Sequence, residues 1–185
     1  MVYCFLADGF EEIEALSAVD ILRRANVAVA TVSLNDTLTV TGSHNIKVTA
    51  DILASDFPRD MSGVECAIYP GGMPGAETLS SGECTLPNDV AKYCVENDVI
   101  VGAICAAPIV LGRLGLLSNK RATCYPGFED ELSFAIYTGD RVTVDGNIVT
   151  GRGPGCSIDF ALSLVSKLCS QETALNIRKA MQCDD

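Results

Sequence analysis

The chain has 185 residues, enough for one α/β domain with a substantial core and too few for two ordinary domains. Its 13 basic and 24 acidic residues give a formal net charge of −11, and no local basic patch is visible, so specific nucleic-acid binding is not expected. Nine cysteines without CxxC or Cys/His spacing argue against a zinc site and against a disulfide framework.

The N-terminal segment and the hydropathy indicate where the protein works. Residues 1–7 lack a basic region and a cleavage site, so they are predicted to form a first strand and not a signal peptide. No apolar run is long enough to cross a bilayer. We therefore expect a cytoplasmic protein with reduced thiols and no membrane partner.

In chain order, the hydrophobic pattern alternates between strands and helices. Strands are predicted at 1–7, 27–34, 64–69, 99–104 and 122–125, with hairpins at 37–50 and 142–150. Helices are predicted at 11–25, 88–96, 106–111, 157–169 and 171–182. This alternation predicts a single domain over residues 1–185, an α/β protein in which a mostly parallel sheet lies between two helical layers. Functional sites are expected at the carboxyl ends of the strands.

An acidic segment, residues 8–14, follows the first strand. Carboxylates in the first turn of a helix usually complement the helix dipole, and this explanation suffices for Glu11 and Glu12. The carboxyl of Glu14 either enters a semi-apolar cleft or remains solvated. In a cleft its pKa would be raised, and it would be able to donate a hydrogen bond to a thiolate and then move a proton.

His44, the sole histidine, lies in the turn of the first predicted hairpin. A Cys–His hydrolase needs an imidazole positioned on the thiol, so a papain-like or amidotransferase-like triad would require His44 to fold over the nucleophile. We interpret His44 instead as a turn or interface residue.

A glycine-rich loop, residues 70–75, follows the strand at 64–69. Glycines allow backbone N–H groups to approach a ligand closely, yet the loop lacks the Gly-Lys-Ser/Thr ending of a phosphate-binding loop. An oxyanion hole is the better interpretation, formed by the N–H groups of Gly72 and Ala106.

Cys105 occupies the junction between the strand at 99–104 and the helix at 106–111. The flanking residues are small, namely Gly102, Ala103, Ala106 and Ala107. They permit a sharp turn that lifts one side chain above the sheet, which predicts a nucleophile elbow with Cys in place of Ser. A helix N-terminus there would favour the thiolate. The alternative is a buried cysteine that packs as a small hydrophobic residue.

The loop at 151–155 is also glycine-rich, and it has two interpretations. It either forms only a stiff turn, or Arg152 holds the loop near the site or binds a carboxylate.

Four of these segments, in this order, resemble the motifs of the ThiJ/PfpI superfamily and of its DJ-one branch, which has bacterial members. They are residues 8–14, 69–72, 103–108 and 151–155. The resemblance extends from about residue 3 to about residue 170. It implies a flavodoxin-like sandwich, usually a homodimer, that works without a cofactor or a metal.

By motif position, the resemblance implies that Cys105 is the reactive cysteine and that a protonated Glu14 contacts it. The amides of Gly72 and Ala106 would be the oxyanion donors. Further residues are expected to contact the substrate or to surround the site: Gly71, Tyr125, Arg152 and His44.

The sequence departs from some members of the superfamily. Tyr125 lies where the animal proteins carry a histidine close to the cysteine, and a tyrosine cannot act as a base near neutral pH without a large pKa shift. Ala106 lies where the protease-like branch has a histidine, which argues against a peptidase. His44 falls where some relatives have an arginine at the dimer interface.

The resemblance implies a cofactor-independent glyoxalase or deglycase, which converts a small 2-oxoaldehyde such as methylglyoxal to lactate or acts on early glycation adducts. The alternative is an oxidative-stress sensor or chaperone whose elbow cysteine oxidises to sulfinate without significant turnover. Both functions use the same residues, so the sequence does not separate them. A thiamine-pathway enzyme has little support because no kinase phosphate loop is present.

Overall fold

Eleven strands are present in the computed structural model, which describes residues 1–183. They are β1 (Val2–Leu6), β2 (Val29–Ser33), β3 (Thr39–Thr41), β4 (Lys47–Thr49), β5 (Ile52–Leu53), β6 (Cys66–Tyr69), β7 (Ile100–Ile104), β8 (Arg121–Ala122), β9 (Ile136–Tyr137), β10 (Val142–Asp145) and β11 (Ile148–Gly151). The predicted domain extends to residue 185, and its last two positions lie outside the described residues.

Seven of these strands form the central sheet, in the order β10-β11-β7-β6-β1-β2-β5. Every neighbouring pair is parallel except the β10–β11 hairpin. All five residues of β1 are buried, as expected for a central parallel strand covered on both faces. The remaining strands form two small ladders, an antiparallel β3–β4 hairpin and a parallel β8–β9 pair.

Six helices cover the two faces of the sheet. They are α1 (Glu12–Arg24), α2 (Gly75–Ser80), α3 (Leu86–Glu96), α4 (Pro108–Arg113), α5 (Ser157–Leu168) and α6 (Gln171–Ala180). One apolar cluster joins the sheet to α1, α5 and α6, and another joins it to α2, α3 and α4. This arrangement confirms the predicted three-layer α/β/α sandwich with a mostly parallel sheet. Among the described residues, each helix is too short or too polar to cross a membrane.

The predicted strand at 122–125 is wrong beyond its first residue. The Thr123 amide donates to the hydroxyl of Thr150, and the Tyr125 amide donates to the carbonyl of Cys105, so neither amide takes part in a strand ladder. The helix predicted to follow Cys105 directly begins only at Pro108. Helix α2 and the short strand β5 were not predicted from the sequence.

The parallel strands place the predicted motifs at one edge of the sheet. The carboxyl ends of β1, β6, β7 and β11 lead into the acidic segment, the loop at 70–75, Cys105 and the loop at 151–155. Because the carboxyl ends of neighbouring parallel strands lie together, these four segments surround a common site.

Candidate active site

Cys105 has the backbone of a nucleophile elbow. Its φ is +65°, a left-handed conformation that is unfavourable for a residue with a side chain and that recurs at functional sites. Two hydrogen bonds maintain this turn. The Cys105 amide donates to the carbonyl of Gly151, and the Tyr125 amide donates to the carbonyl of Cys105, both at 2.8 Å. The side chain is nearly buried, with 9% of the residue exposed.

Glu14 is fully buried on the first turns of α1, so the structure places its carboxyl in a cleft and not in solvent. Its Oε2 accepts a hydrogen bond from the Gly71 amide at 2.7 Å. A Cβ atom at Gly71 would lie 2.6 Å from the Cβ of Cys105 and 2.8 Å from Oε2 of Glu14. The thiol, the carboxyl and the backbone of Gly71 therefore converge on one point, which only a glycine at position 71 permits.

The cleft changes the acidity of Glu14. Burial raises the pKa of this carboxyl to about 7, although hydrogen bonds from the Gly71 amide and the Cys105 thiol act to lower it. Near neutral pH a large share of the molecules therefore carries a protonated Glu14 beside the thiol.

The acidity of Cys105 depends on its burial and on its polar neighbours. Burial raises the pKa of the thiol, and a negative charge on Glu14 raises it further, whereas the amides of Ala106 and Gly72 lower it. Helix α4 has only six residues and begins three residues after Cys105. The predicted contribution of a helix N-terminus to the acidity of the thiol stays a prediction. An ionised Glu14 opposes the thiolate, and a protonated Glu14 removes that opposition.

The two predicted oxyanion donors lie beside the sulfur. The N–H groups of Ala106 and Gly72 both interact with the Cys105 side chain. Gly72 has a φ of +87°, and a Cβ atom there would come within 2.4 Å of the Glu11 amide nitrogen and of the Gly9 carbonyl oxygen. The close packing against the segment before α1 thus requires glycine and fixes the direction of the Gly72 amide.

Tyr125 and Arg152 belong to the two segments that hydrogen-bond the Cys105 backbone. The ring of Tyr125 packs over Gly153, where an added Cβ atom would lie 3.1 Å from the ring. Of Tyr125, 47% is exposed. Nη1 of Arg152 donates to the Gly139 carbonyl at 3.0 Å. Both side chains line a cavity of about 470 Å³.

His44 lies in the turn between β3 and β4, and its ring contacts Glu12. Nδ1 is 2.9 Å from Oε2 of Glu12, and the His44 amide donates to Oε1 at 2.8 Å. Burial acts to raise the pKa of Glu12, but the hydrogen bonds from the side chain of His44 and from the amides of His44 and Ile46 lower it to about 2. The same contact raises the pKa of His44.

Glu12 has a role that the sequence analysis missed. Its side chain is 5% exposed, and it binds the hairpin turn instead of serving only as a partner of the helix dipole. The hairpin packs closely on this carboxyl, because a Cβ atom at Gly42 would lie 2.3 Å from it. His44 and Glu12 form a cluster with Glu11.

The fold and the elbow define an α/β protein with a cysteine on a nucleophile elbow and a buried carboxyl beside it. The sequence model of the DJ-1/PfpI family matches residues 1–167, and the chain belongs to that family. This match confirms the resemblance to the ThiJ/PfpI superfamily and to its DJ-one branch.

Individual relatives match along most of this chain. Protein DJ-1 homolog B of Arabidopsis thaliana is 38% identical over 176 residues, which cover 95% of this chain and 39% of that protein. The glutathione-independent glyoxalase DJR-1.2 of Caenorhabditis elegans is 29% identical over 173 residues, 92% of this chain and 89% of that protein. The chain spans about two fifths of the length of the two Arabidopsis relatives that it matches.

The fold has a close counterpart among solved structures. The structure of oxidized Toxoplasma gondii DJ-1 superposes with a TM-score of 0.91 at 36% identity and covers 98% of this chain and 97% of that chain. The similarity confirms the flavodoxin-like architecture.

Proposed function

We propose that the chain is a cofactor-independent glyoxalase, a single domain over residues 1–185 that acts on small 2-oxoaldehydes such as methylglyoxal and on early glycation adducts. The observation that carries this proposal is the convergence of Cys105, the buried carboxyl of Glu14 and the Gly71 amide. The name of the Caenorhabditis elegans relative, a glutathione-independent glyoxalase, supports the same reaction class.

The first step joins the thiol to the substrate. The Cys105 thiolate attacks the aldehyde carbon, and the carbonyl oxygen takes the proton of Glu14, which gives a hemithioacetal. The amides of Gly72 and Ala106 stabilise the negative charge that develops on that oxygen. Because Glu14 has a pKa of about 7, it is able to give up its proton and to take another within one cycle.

The second step moves hydrogen between the two carbons of the substrate. Glu14 removes the hydrogen of the former aldehyde carbon as a proton and returns it to the neighbouring carbon, while a proton moves from one substrate oxygen to the other. The first carbon is thereby oxidised to a thioester and the second is reduced to an alcohol. Water hydrolyses the thioester, which releases lactate and restores the thiol. The sum consumes one water and needs no external oxidant or reductant.

Lactate release from methylglyoxal tests the proposal. We expect Cys105→Ser to abolish turnover, and we expect Glu14→Gln to lower it by about 10²–10⁴-fold, the typical contribution of general acid–base catalysis. Cys169→Ser, at an exposed cysteine, is the matched control and retains the parent rate. Parent-like rates in both site variants would refute the mechanism.

A redox sensor is the second candidate, and two observations favour it. The amides of Gly72 and Ala106 and a protonated Glu14 surround the sulfur, where they would hydrogen-bond the oxygens of a sulfinate. The Toxoplasma relative is described as oxidized. Intact mass after mild peroxide, measured beside lactate release, separates the two functions, because a gain of two oxygens without turnover supports the sensor.

We further propose that the protein is a cytoplasmic homodimer. Ile13 and Leu16 on α1 are exposed, and Ile158 at the start of α5 lines the same surface groove as Ile13. A second copy would cover these apolar side chains. Sedimentation should show that Ile13→Glu yields a monomer, whereas Val144→Glu, at an exposed apolar residue of β10, leaves the dimer intact. A parent protein that sediments as a monomer would refute the dimer.

A further inference from the structure

A cavity of about 470 Å³ is lined by residues next to the elbow in the fold, and the mechanism above uses none of them. Its walls include Tyr125, Arg141, Arg152 and the backbone of residues 153–155. The cavity is large enough for several carbon atoms beyond the two that react in methylglyoxal.

Backbone hydrogen bonds connect the segments that form the cavity wall to Cys105. The Cys105 amide donates to Gly151, which is followed at once by Arg152. The carbonyl of Cys105 accepts from the amide of Tyr125, whose side chain forms another part of the wall. Cys105 itself is not part of the wall, so a substrate with its aldehyde carbon at the sulfur would place only its far end between Tyr125 and Arg152.

The two arginines of the cavity differ in how their charges are compensated. Nη2 of Arg141 lies 2.8 Å from a carboxylate oxygen of Asp159, whose other oxygen contacts Arg178. Arg152 donates to the carbonyl of Gly139, and within residues 1–183 no carboxylate oxygen lies within 4.0 Å of its side-chain nitrogens. Arg152 is therefore the arginine of the cavity wall without a carboxylate partner among these residues.

We propose that this cavity selects 2-oxoaldehydes that carry a carboxylate at the far end of their carbon chain, and that Arg152 binds this carboxylate. The inference rests on the proposed function and narrows its substrate class. A planar guanidinium matches a carboxylate with two parallel N–H···O bonds. The half-exposed ring of Tyr125 offers an apolar surface for the intervening methylene groups.

Two substrates of equal chain length test the proposal, 4,5-dioxopentanoate and its uncharged counterpart 2-oxopentanal. We expect the parent to prefer the carboxylate in kcat/KM, and Arg152→Gln to lower kcat/KM for the carboxylate by about 10- to 100-fold while the uncharged substrate changes less than about twofold. Arg152→Lys should restore part of the loss. Arg59→Gln removes an exposed charge elsewhere and should change neither value. A parent without preference, or equal losses on both substrates, would overturn the proposal.

A binding measurement tests the carboxylate site independently of the proposed reaction. The unreactive carboxylate 4-oxopentanoate should slow alkylation of Cys105 by iodoacetamide in the parent and fail to do so in Arg152→Gln. If no 2-oxoaldehyde is turned over but this protection is seen, the glyoxalase proposal fails and the carboxylate site stands. Equal protection in both proteins, or none in the parent, overturns the site itself.

Discussion

The carboxyl of Glu14 accepts a hydrogen bond from the Gly71 amide at 2.7 Å, across 57 positions of sequence. Its second oxygen, Oε1, is buried without a hydrogen-bond partner among residues 1–183. An ionised carboxylate in this cleft would leave one oxygen unsatisfied, which is costly in a buried site. The proton that burial retains on Glu14 is therefore available to a group that approaches Cys105.

The raised pKa of Glu14 makes stability depend on pH. An unfolded glutamate loses its proton near 4.5, whereas the folded protein keeps it to about 7. Between these values the folded state binds more protons than the unfolded state, so the free energy of unfolding falls as pH rises. A pKa change of this size corresponds to about 3 kcal/mol.

Replacement of Glu14 by glutamine should remove this dependence. Relative to the parent, Glu14→Gln should gain stability between pH 4.5 and pH 7, as measured by urea unfolding at several pH values. Glu96→Gln, at an exposed carboxyl on α3, controls for the loss of one charge. Parallel stability curves for the parent and Glu14→Gln would show that the Glu14 carboxyl does not retain its proton in the folded state.

The group at position 14 should set the pKa of the Cys105 thiol through a donated hydrogen bond. A glutamine at this position keeps an N–H donor for the thiolate, whereas a leucine offers none. We expect the alkylation rate of Cys105 in Glu14→Leu to have its midpoint about one pH unit above that in Glu14→Gln, since a hydrogen bond to a charged group contributes about 1.5 kcal/mol. Mass spectrometry of the Cys105 peptide measures the rate, and a reversed order of midpoints would exclude a donor role.

Gly71 should not tolerate a side chain. Its Cβ position lies 2.6 Å from the Cβ of Cys105 and 2.8 Å from Oε2 of Glu14, so Gly71→Ala must displace one of them. We expect a loss of about 1–3 kcal/mol in stability from overpacking, and about 10²-fold in turnover from the misplaced groups. Gly63→Ala is the matched control, because its Cβ position has no neighbour within 4 Å. Similar behaviour of the two variants would show that the site adapts.

The elbow was predictable because its determinants are local. A buried apolar strand, one cysteine and small residues on both sides suffice to identify the turn at Cys105. The order of the parallel strands then brings the loop at 70–75 and Glu14 to the same edge. Pattern and topology together thus account for the fold and for the neighbourhood of the sulfur.

The electrostatic properties of the site were not predictable in the same way. The acidity of Cys105 depends on the protonation of Glu14, which depends on how deeply α1 is buried and on one amide of a distant loop. Likewise Glu12 and His44 are 32 positions apart, and two of the donors to Glu12 are backbone amides of a turn. The positions of such amides follow from tertiary packing, so a sequence pattern does not predict them.

The pair of His44 and Glu12 should stabilise the hairpin only while the histidine is charged. Contact with Glu12 raises the pKa of His44 above its ordinary value of 6.5, so this stabilisation is complete below that value and is lost as pH rises through the raised pKa. His44→Ala should therefore be more destabilised, relative to the parent, at pH 5.5 than at pH 9. Lys47→Ala, at an exposed lysine of β4 in the same hairpin, should show no such difference, since a lysine stays charged over this range. Urea unfolding at the two pH values measures both effects. If His44→Ala lost the same stability at both pH values, Glu12 would hold the turn only by accepting hydrogen bonds from the backbone amides of the turn.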